Sequence, residues 1–350
     1  MSKDGCHIFV GVMGQGIRTS SGVALLRRAG GRVKLEKFFE VEGRATNIVL
    51  THDEQLLIVA GGEDVAFLNV ERMLAHKGDA VAGYLKDSDA AGSINVNVTR
   101  DDRFLFVSDE GSASVRVIDL EKARNQKFSS SAVIGRIPVG IAPIALVFSP
   151  DEKLLYNTVE AMPRNSGWKD ECPAEMAGGS AHSAGAVVVI DADKAKTDPA
   201  HSVLKRLAAG CNTVRLTLAP GGDLLYATAR SSNAMLAFNT AKMLSDPANA
   251  LAAVVPVGKA PVGIAVADDG RKIVVANSNR FAGPNGGHET LTVVDATKIS
   301  NGQPAVLGTI PAQSFPRELA SSPDGRTIYL SNFNSGSVEV IDAEHMPVRK

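Results

Sequence analysis

SPDGRTIYLSNFNSGSVEVID, from Ser322 to Asp342, holds one complete hairpin signal followed by a second turn and a further strand. Pro323 presets φ, Asp324 can accept neighbouring backbone N–H groups, and Gly325 supplies a left-handed φ, so the chain reverses there. The runs on either side are short, bounded by turn residues and enriched in β-branched side chains. They read as strands.

Variants of this stretch recur along the chain: SPDEKLLYNTVE from Ser149, DDGRKIVVANSN from Asp268, APGGDLLYATARSSNAMLAFN from Ala219 and RDDRFLFVSDEGSASVRVID from Arg100. Degenerate copies begin at His52 and Ser2. With the last residue of each turn as a marker, the series is Cys6, Gln55, Arg103, Lys153, Asp223, Arg271 and Arg326. Five of the six intervals lie between 48 and 55 residues, and the sixth, of 70, holds an insertion between Glu160 and Gly185. Self-similarity at such a period is the mark of a repeat architecture.

Each repeat reads as four short strands. The first enters the turn, as in PIALVFS from Pro143. The second leaves it, as in KIVVAN, and the third ends in Asp or Asn, as in VRVID and VEVID. The fourth is a weaker apolar segment such as LAAVVPVG. Even spacing of short strands by Gly, Pro, Asp and Asn predicts an all-β chain, a seven-bladed β-propeller of four-stranded antiparallel blades. The expected domain is single, with approximate repeats 1–43, 44–90, 91–138, 139–209, 210–257, 258–313 and 314–350. Because Ser2-Lys3-Asp4-Gly5 matches Ser322-Pro323-Asp324-Gly325, the first repeat lacks its inner strand, and the seventh stops after a third strand. The incomplete ends imply a seam partly masked by Met346 to Lys350, or a chain cut from a longer protein. Asn69, Asp119, Asp191, Asn239, Asp295 and Asp342, which follow third strands, are expected to cap single helical turns.

The stretch from Ser322 resembles the YVTN family of β-propeller repeats: SPDG, then a tyrosine-containing strand ending in Asn, then GSVEVID. The resemblance covers nearly the whole chain and implies the propeller fold. Other copies depart from it, with Phe106-Val107 and Val274-Val275 in place of the family's Tyr-Val pair. A WD40 propeller is a poor match, since the one tryptophan, Trp168, falls in the insertion.

The charge balance, 37 basic against 38 acidic residues, gives a net charge of -1 and no reason to expect a nucleic-acid partner. No apolar window is long enough for a transmembrane helix. The opening MSKDGCHIFVGVMGQG reads as a strand, not a signal peptide. The compartment is thus the cytoplasm, or an exported one whose signal has been removed.

Connections between second and third strands share a face with links between blades. That face carries the two long excursions, Ala161 to Ala184 and Ser278 to Glu289, where binding is expected. Cys172 lies in the first excursion and Cys211 in the link that follows the same repeat, so a disulfide between them is predicted. It would stabilise the fold by roughly 4 kcal/mol and favours a periplasmic or secreted location. Two reduced thiols are the alternative. Cys6 maps to the other face and should be unpaired. No C-x-x-C or H-x-x-x-H pair supports a zinc site, and no metal or cofactor is expected.

Residues at the ends of second strands and starts of first strands should point to the mouth of the central channel: Arg44, Asn47, Asp109, Glu160, Arg215, Arg230, Asn277, Arg317, Glu318 and Asn332. Arginines facing carboxylates there suit an anionic ligand, or else bond to one another as a tunnel lining. The excursions add Arg164, Trp168, His182, Arg280 and His288. Gly14, Gly16 and Gly283 lack the strand-to-helix context of a phosphate loop. The chain is also similar in repeat pattern to 6-phosphogluconolactonase-type propellers, a resemblance that implies lactone hydrolysis or a related cyclase reaction. Glu160, Arg215, His182 and His288 are the residues offered as acid, base or electrophile. Two functions follow: a noncatalytic scaffold that binds a small molecule or protein on the loop-rich face, and the lactonase or cyclase alternative. The oligomeric state is left open.

Overall fold

The computed structural model describes residues 1–14, 20–29, 32–62, 64–169, 171–175, 179–281, 287–299 and 303–349; Gly16 and Gly283 lie outside them. Seven antiparallel sheets follow one another along the chain. Blade one has three strands, His7–Val12, Gly22–Ala29 and Arg32–Glu40. Blades two to six have four each, starting at Asn47–Leu50, Ser93–Val98, Ile141–Phe148, Thr213–Leu218 and Pro261–Ala267. Blade seven has three, Pro316–Ser321, Thr327–Asn332 and Ser337–Asp342. This is the seven-bladed propeller read from the repeat, with short first and last blades. The C-terminal tail, however, pairs with blade six: Arg349 exchanges two 2.8 Å backbone hydrogen bonds with Thr309.

The chain divides into two compact units, Met1–Leu155 with Ile190–Val203, and Tyr156–Val189 with Leu204–Lys350. Each has its own apolar core. In the first, Leu57, Val59, Ala66 and Leu68 of blade two pack with Val23, Leu25 and Phe39 of blade one. In the second, Val274, Ala276, Leu291 and Val293 of blade six pack with Ile328, Leu330 and Ile341 of blade seven.

The turn between first and second strands is built by side chains. At Ser322 the hydroxyl donates to Asp324, the Asp324 carboxylate accepts from Arg326 N at 3.1 Å, and the hydroxyl oxygen accepts from Thr327 N at 2.9 Å. The same three bonds recur at Ser2/Asp4, Thr51/Asp53, Thr99/Asp101 and Ser149/Asp151. The degenerate copy at Ser2 is therefore a true repeat. The hydroxyl of Ser149 and then the backbone N–H of Lys153 hold the Asp151 carboxyl below its ordinary pKa. Three third strands end as expected: Asn69, Asp119 and Asp191 each accept from the backbone N–H three residues on, at 2.8–2.9 Å, whereas among the described residues no helical turn follows Asp342 and the turn after Asn239 is capped at Ala241.

The fourth residue of the turn adopts a positive φ, which suits glycine, and Gly5, Gly222, Gly270 and Gly325 take it. In blades two to four carboxylates hold this position instead: Glu54, Asp102 and Glu152, at φ of 54°, 54° and 56°. Each accepts a backbone N–H from the turn of the preceding blade: Lys3 N to Glu54 at 2.6 Å, His52 N to Asp102 at 2.8 Å, and Arg100 N to Glu152 at 2.8 Å. Asp102 also takes Asp53 N at 2.7 Å and meets His52 Nδ1 at 2.9 Å. The hydrogen bonds offset the strain of a left-handed residue, about 1–2 kcal/mol. Between blades five and six a Cβ on Gly270 would lie 2.8 Å from Pro220, so those two turns approach too closely for a side chain.

Replacing Asp102 by alanine is expected to lower the unfolding free energy by about 2–4 kcal/mol, because the hydrogen bonds go and the strain remains. Asp102→Gly should recover about 1 kcal/mol of that loss. Urea denaturation of the two variants tests the order; equal midpoints would count against the account of the strained carboxylate.

Candidate functional site

Position along the second strand decides what a polar residue at its end can do. The sixth position is Asp109 in blade three, Asn277 in blade six and Asn332 in blade seven, and each turns to the third strand of its own blade. Asp109 meets Arg116 at 3.1 Å and accepts from Ser93 Oγ at 2.7 Å. Asn277 Nδ2 donates to Thr290 and Thr292 at 3.0 and 2.8 Å, and Asn332 Nδ2 donates to Glu339 at 2.7 Å. In blades four and five the same position is Val159 or Ala229, and the third strand offers apolar Val188 or Leu236. These polar pairs are internal to their blades, and burial raises the Asp109 pKa despite the neighbouring Arg116.

One residue further along, the side chain leaves the sheet. Glu160 in blade four and Arg230 in blade five occupy this seventh position, and they meet. Arg230 is 5% exposed. Its Nη1 and Nη2 donate to Glu160 Oε1 and Oε2, both at 2.9 Å. Its Nε and Nη2 donate to Glu175 Oε1 and Oε2, both at 2.6 Å. One guanidinium is thus clamped by two carboxylates. Ser231 Oγ adds a 2.6 Å bond to Glu175, and Asn212 Nδ2 a 3.2 Å bond to Glu160.

Burial disfavours the charged guanidinium, yet the hydrogen bonds and charges of Glu175 and Glu160 outweigh it and raise the Arg230 pKa. For Glu175 burial likewise opposes ionisation, and the bonds from Arg230 and Ser231 overcome it, leaving its pKa below 4.5. A cavity of about 300 Å³ opens beside the cluster, lined by Ala174, Glu175, Arg230, Ser231, Lys259, Asn279 and Phe281 among others. Phe281, 42% exposed, stands at its rim with the Arg280 guanidinium 4.6 Å from the ring centre. The cavity therefore presents a carboxylate, a guanidinium, an ammonium and an aromatic edge to whatever enters.

Glu175 is delivered by the excursion of blade four, which is fastened at two places. Cys172 and Cys211 are disulfide-bonded, with Cα atoms 5.5 Å apart, while Cys6 is free and exposed. Cys172 and His182 exchange two 3.0 Å backbone hydrogen bonds. Pro173–Glu175 line the same cavity as Asn279 and Phe281, so the two long excursions meet at one end of their unit.

The remaining sequence-derived residues lie elsewhere. Arg215 pairs with Glu318, Nε to Oε1 at 2.8 Å, joining the first strands of blades five and seven. Arg317 packs between Phe315 and Phe333, at 6.0 and 5.3 Å from the ring centres. His182 Nδ1 lies 2.8 Å from the Ser183 carbonyl. Arg164 and His288 are exposed and Trp168 is half-buried, none of them lining the cavity. In the first unit Arg44 is exposed, and Asn47 accepts a 3.2 Å bond from Val96 N of the next blade. Among the described residues no group of His, Cys, Asp and Glu side chains is placed to hold a metal ion, and no helix is long and apolar enough to cross a membrane. The sequence reading missed Glu175, Ser231, Lys259 and Phe281. The proximity of Glu175 to Cys172 was the one available signal.

Seven sheets with a charged cavity beside the blade-four excursion define a β-propeller whose concave site is lined by acid and base together. The sequence profile of the family described as Lactonase, 7-bladed beta-propeller matches residues 63–279, and the chain belongs to that family. No curated protein matches it. Similar solved structures include the periplasmic gluconolactonase of Pseudomonas aeruginosa, at 17% identity and a TM-score of 0.70, covering 99% of this chain and 94% of that one. A candidate 6-phosphogluconolactonase of Bacteroides fragilis gives 11% identity and a TM-score of 0.71, covering 100% and 96%. One from Bacteroides uniformis gives 14% and 0.71, covering 96% and 92%. At these identities the likeness is one of fold.

Removing Arg230 leaves two carboxylates facing one another in a buried site, so Arg230→Ala should cost about 3–5 kcal/mol of stability. The Glu175 contribution has a defined pH sense. Its folded pKa lies below 4.5, so the stabilisation is complete above that value and is lost as pH falls through the lower folded pKa. The stability gap between wild type and Glu175→Gln should therefore narrow on acidification below 4.5, which urea melts across an acid pH series will read.

Proposed function

We propose that the chain hydrolyses a small lactone in the cavity beside Arg230. The observation that carries this reading is the buried clamp itself, a guanidinium fixed by Glu160 from one side and Glu175 from the other, at the wall of a cavity that also holds Lys259. Membership of the lactonase family favours hydrolysis over the noncatalytic recognition that the sequence first suggested.

In this reading the lactone carbonyl lies toward Arg230 and Lys259. Four of the five Arg230 N–H donors are taken by the two carboxylates, and the fifth, on Nη1, remains for the oxygen that becomes negative as the carbonyl carbon turns tetrahedral. Glu175, which lines the cavity, takes a proton from the attacking water. The ring C–O bond then breaks, the proton passes to the departing ring oxygen, and a hydroxy acid is released that ionises in solvent. Glu160 lies behind Arg230, fixing its plane and balancing its charge. The low pKa of Glu175 keeps it ionised at neutral pH. The Cys172–Cys211 disulfide supports an oxidising compartment, periplasmic or extracellular, as the place of work.

A panel of sugar and muconate lactones assayed by acid release tests the proposal. Wild type should turn over at least one. Arg230→Lys, which keeps a charge but loses the fork, and Glu175→Gln should each lower kcat/KM by about a hundredfold or more with the fold intact by circular dichroism. Absence of turnover across the panel, or variants as active as wild type, would sink the assignment.

A further inference from the structure

Blade one carries a feature that lactone chemistry does not use. Its second and third strands, Gly22–Ala29 and Arg32–Glu40, have eight and nine residues. The corresponding strands of blades three, five and six have six. Between residues 27 and 37 lie Arg27, Arg28, Arg32, Lys34 and Lys37 against the single acid Glu36, in a chain whose net charge is -1. We propose that this hairpin docks the protein on an anionic phospholipid surface.

The register supplies the argument. Arg27 lies directly opposite Lys34, and Ala29 opposite Arg32, so Arg27, Lys34 and Arg32 project from one face of the ribbon. Like charges directly opposed across a sheet are destabilising, and among the described residues the relief is partial. Glu36 lies 3.8 Å from Arg27 but is shared with His76 at 3.4 Å. Arg32 and Lys34 are exposed and make no ion pair among the described residues. Leu26 and Leu35 oppose each other on the other face, and Leu35 is 56% exposed. Arg32–Glu40 is moreover the outermost strand of its blade.

Exposed cations on one face of this outermost strand and Leu35 on the other flank its free edge, so a bilayer that meets the strand edge-on reaches both, as suits the boundary between anionic headgroups and acyl chains. A nucleic-acid partner fits less well, because from Leu26 to Lys37 the sequence has no aromatic or amide side chain to stack on or read a base. An acidic protein would leave Leu35 without a purpose unless it brought its own apolar patch.

Co-sedimentation of the full chain with vesicles tests this directly. Binding is expected to vesicles of phosphatidylcholine with phosphatidylglycerol, not to phosphatidylcholine alone, and to weaken as salt is raised. The triple change Arg27→Ser, Arg32→Ser and Lys34→Ser should lower the partition coefficient about a hundredfold, and Leu35→Ser about tenfold. Neither variant should unfold more readily than wild type, since the triple change relieves repulsion; circular dichroism and a urea melt check this. No binding, equal binding to both vesicle types, an unaffected triple variant, or binding to duplex DNA in place of anionic vesicles would each overturn the proposal. None of these outcomes depends on lactone turnover.

Discussion

The recurring constraint in this molecule is a hydroxyl and a carboxylate two residues apart. In five of the seven blades a Ser or Thr side chain donates to the Asp that follows, and the two together take the backbone N–H groups that the reversing chain would otherwise leave open. That sets where the second strand begins and which of its side chains face the neighbouring blades. From Leu56, Phe104, Leu154, Leu224, Lys272 and Thr327 onward the strands run in step, so equivalent positions fall at equivalent places. The internal pairs and the clamp both inherit this phase.

A shift of one residue then separates structure from chemistry. Asp109, Asn277 and Asn332 stand one step before the seventh position and remain within the sheet, joined to Arg116, Thr292 and Glu339. Glu160 and Arg230 stand one step after them and reach out of it. Because the backbone alternates sides, the two sets cannot exchange roles. Arg230 is surrounded more completely than any single blade could manage: Glu160 comes from the second strand of blade four, Glu175 from that blade's excursion, and Ser231 from the next turn of the chain. The outcome is a fixed cation whose remaining donor is aimed by its neighbours and not by its own flexibility.

The architecture was legible because turns and alternation are local properties. Ser322 to Asp342 displays them fully, and weaker copies need only matching phase; even Ser2 to His7, with little apolar similarity, keeps the hydroxyl and the carboxylate. The disulfide was legible because topology placed Cys172 and Cys211 on one face. Of the clamp, Glu160 and Arg230 were visible as strand ends, but they sat in a list with Asn277 and Asn332, which strand position alone would have removed. Glu175 was hidden because its place depends on the path of an irregular excursion, for which no periodicity exists. Arg215 and Glu318 were each visible, but their pairing across 103 residues was not, since it joins blades that are not neighbours in sequence.

The seams between turns are made in two materials. Where Glu54, Asp102 and Glu152 hold the left-handed position, adhesion between successive blades is electrostatic and reaches across a gap. Where Gly270 holds it, adhesion comes from bare proximity to Pro220. The first kind of joint accepts a side chain where the backbone is left-handed; the second rejects a single methyl group. Evolution can therefore vary the side chain at a joint of the first kind so long as it still accepts the neighbouring N–H, whereas the joint at Gly270 is open to change only by rebuilding both sides at once.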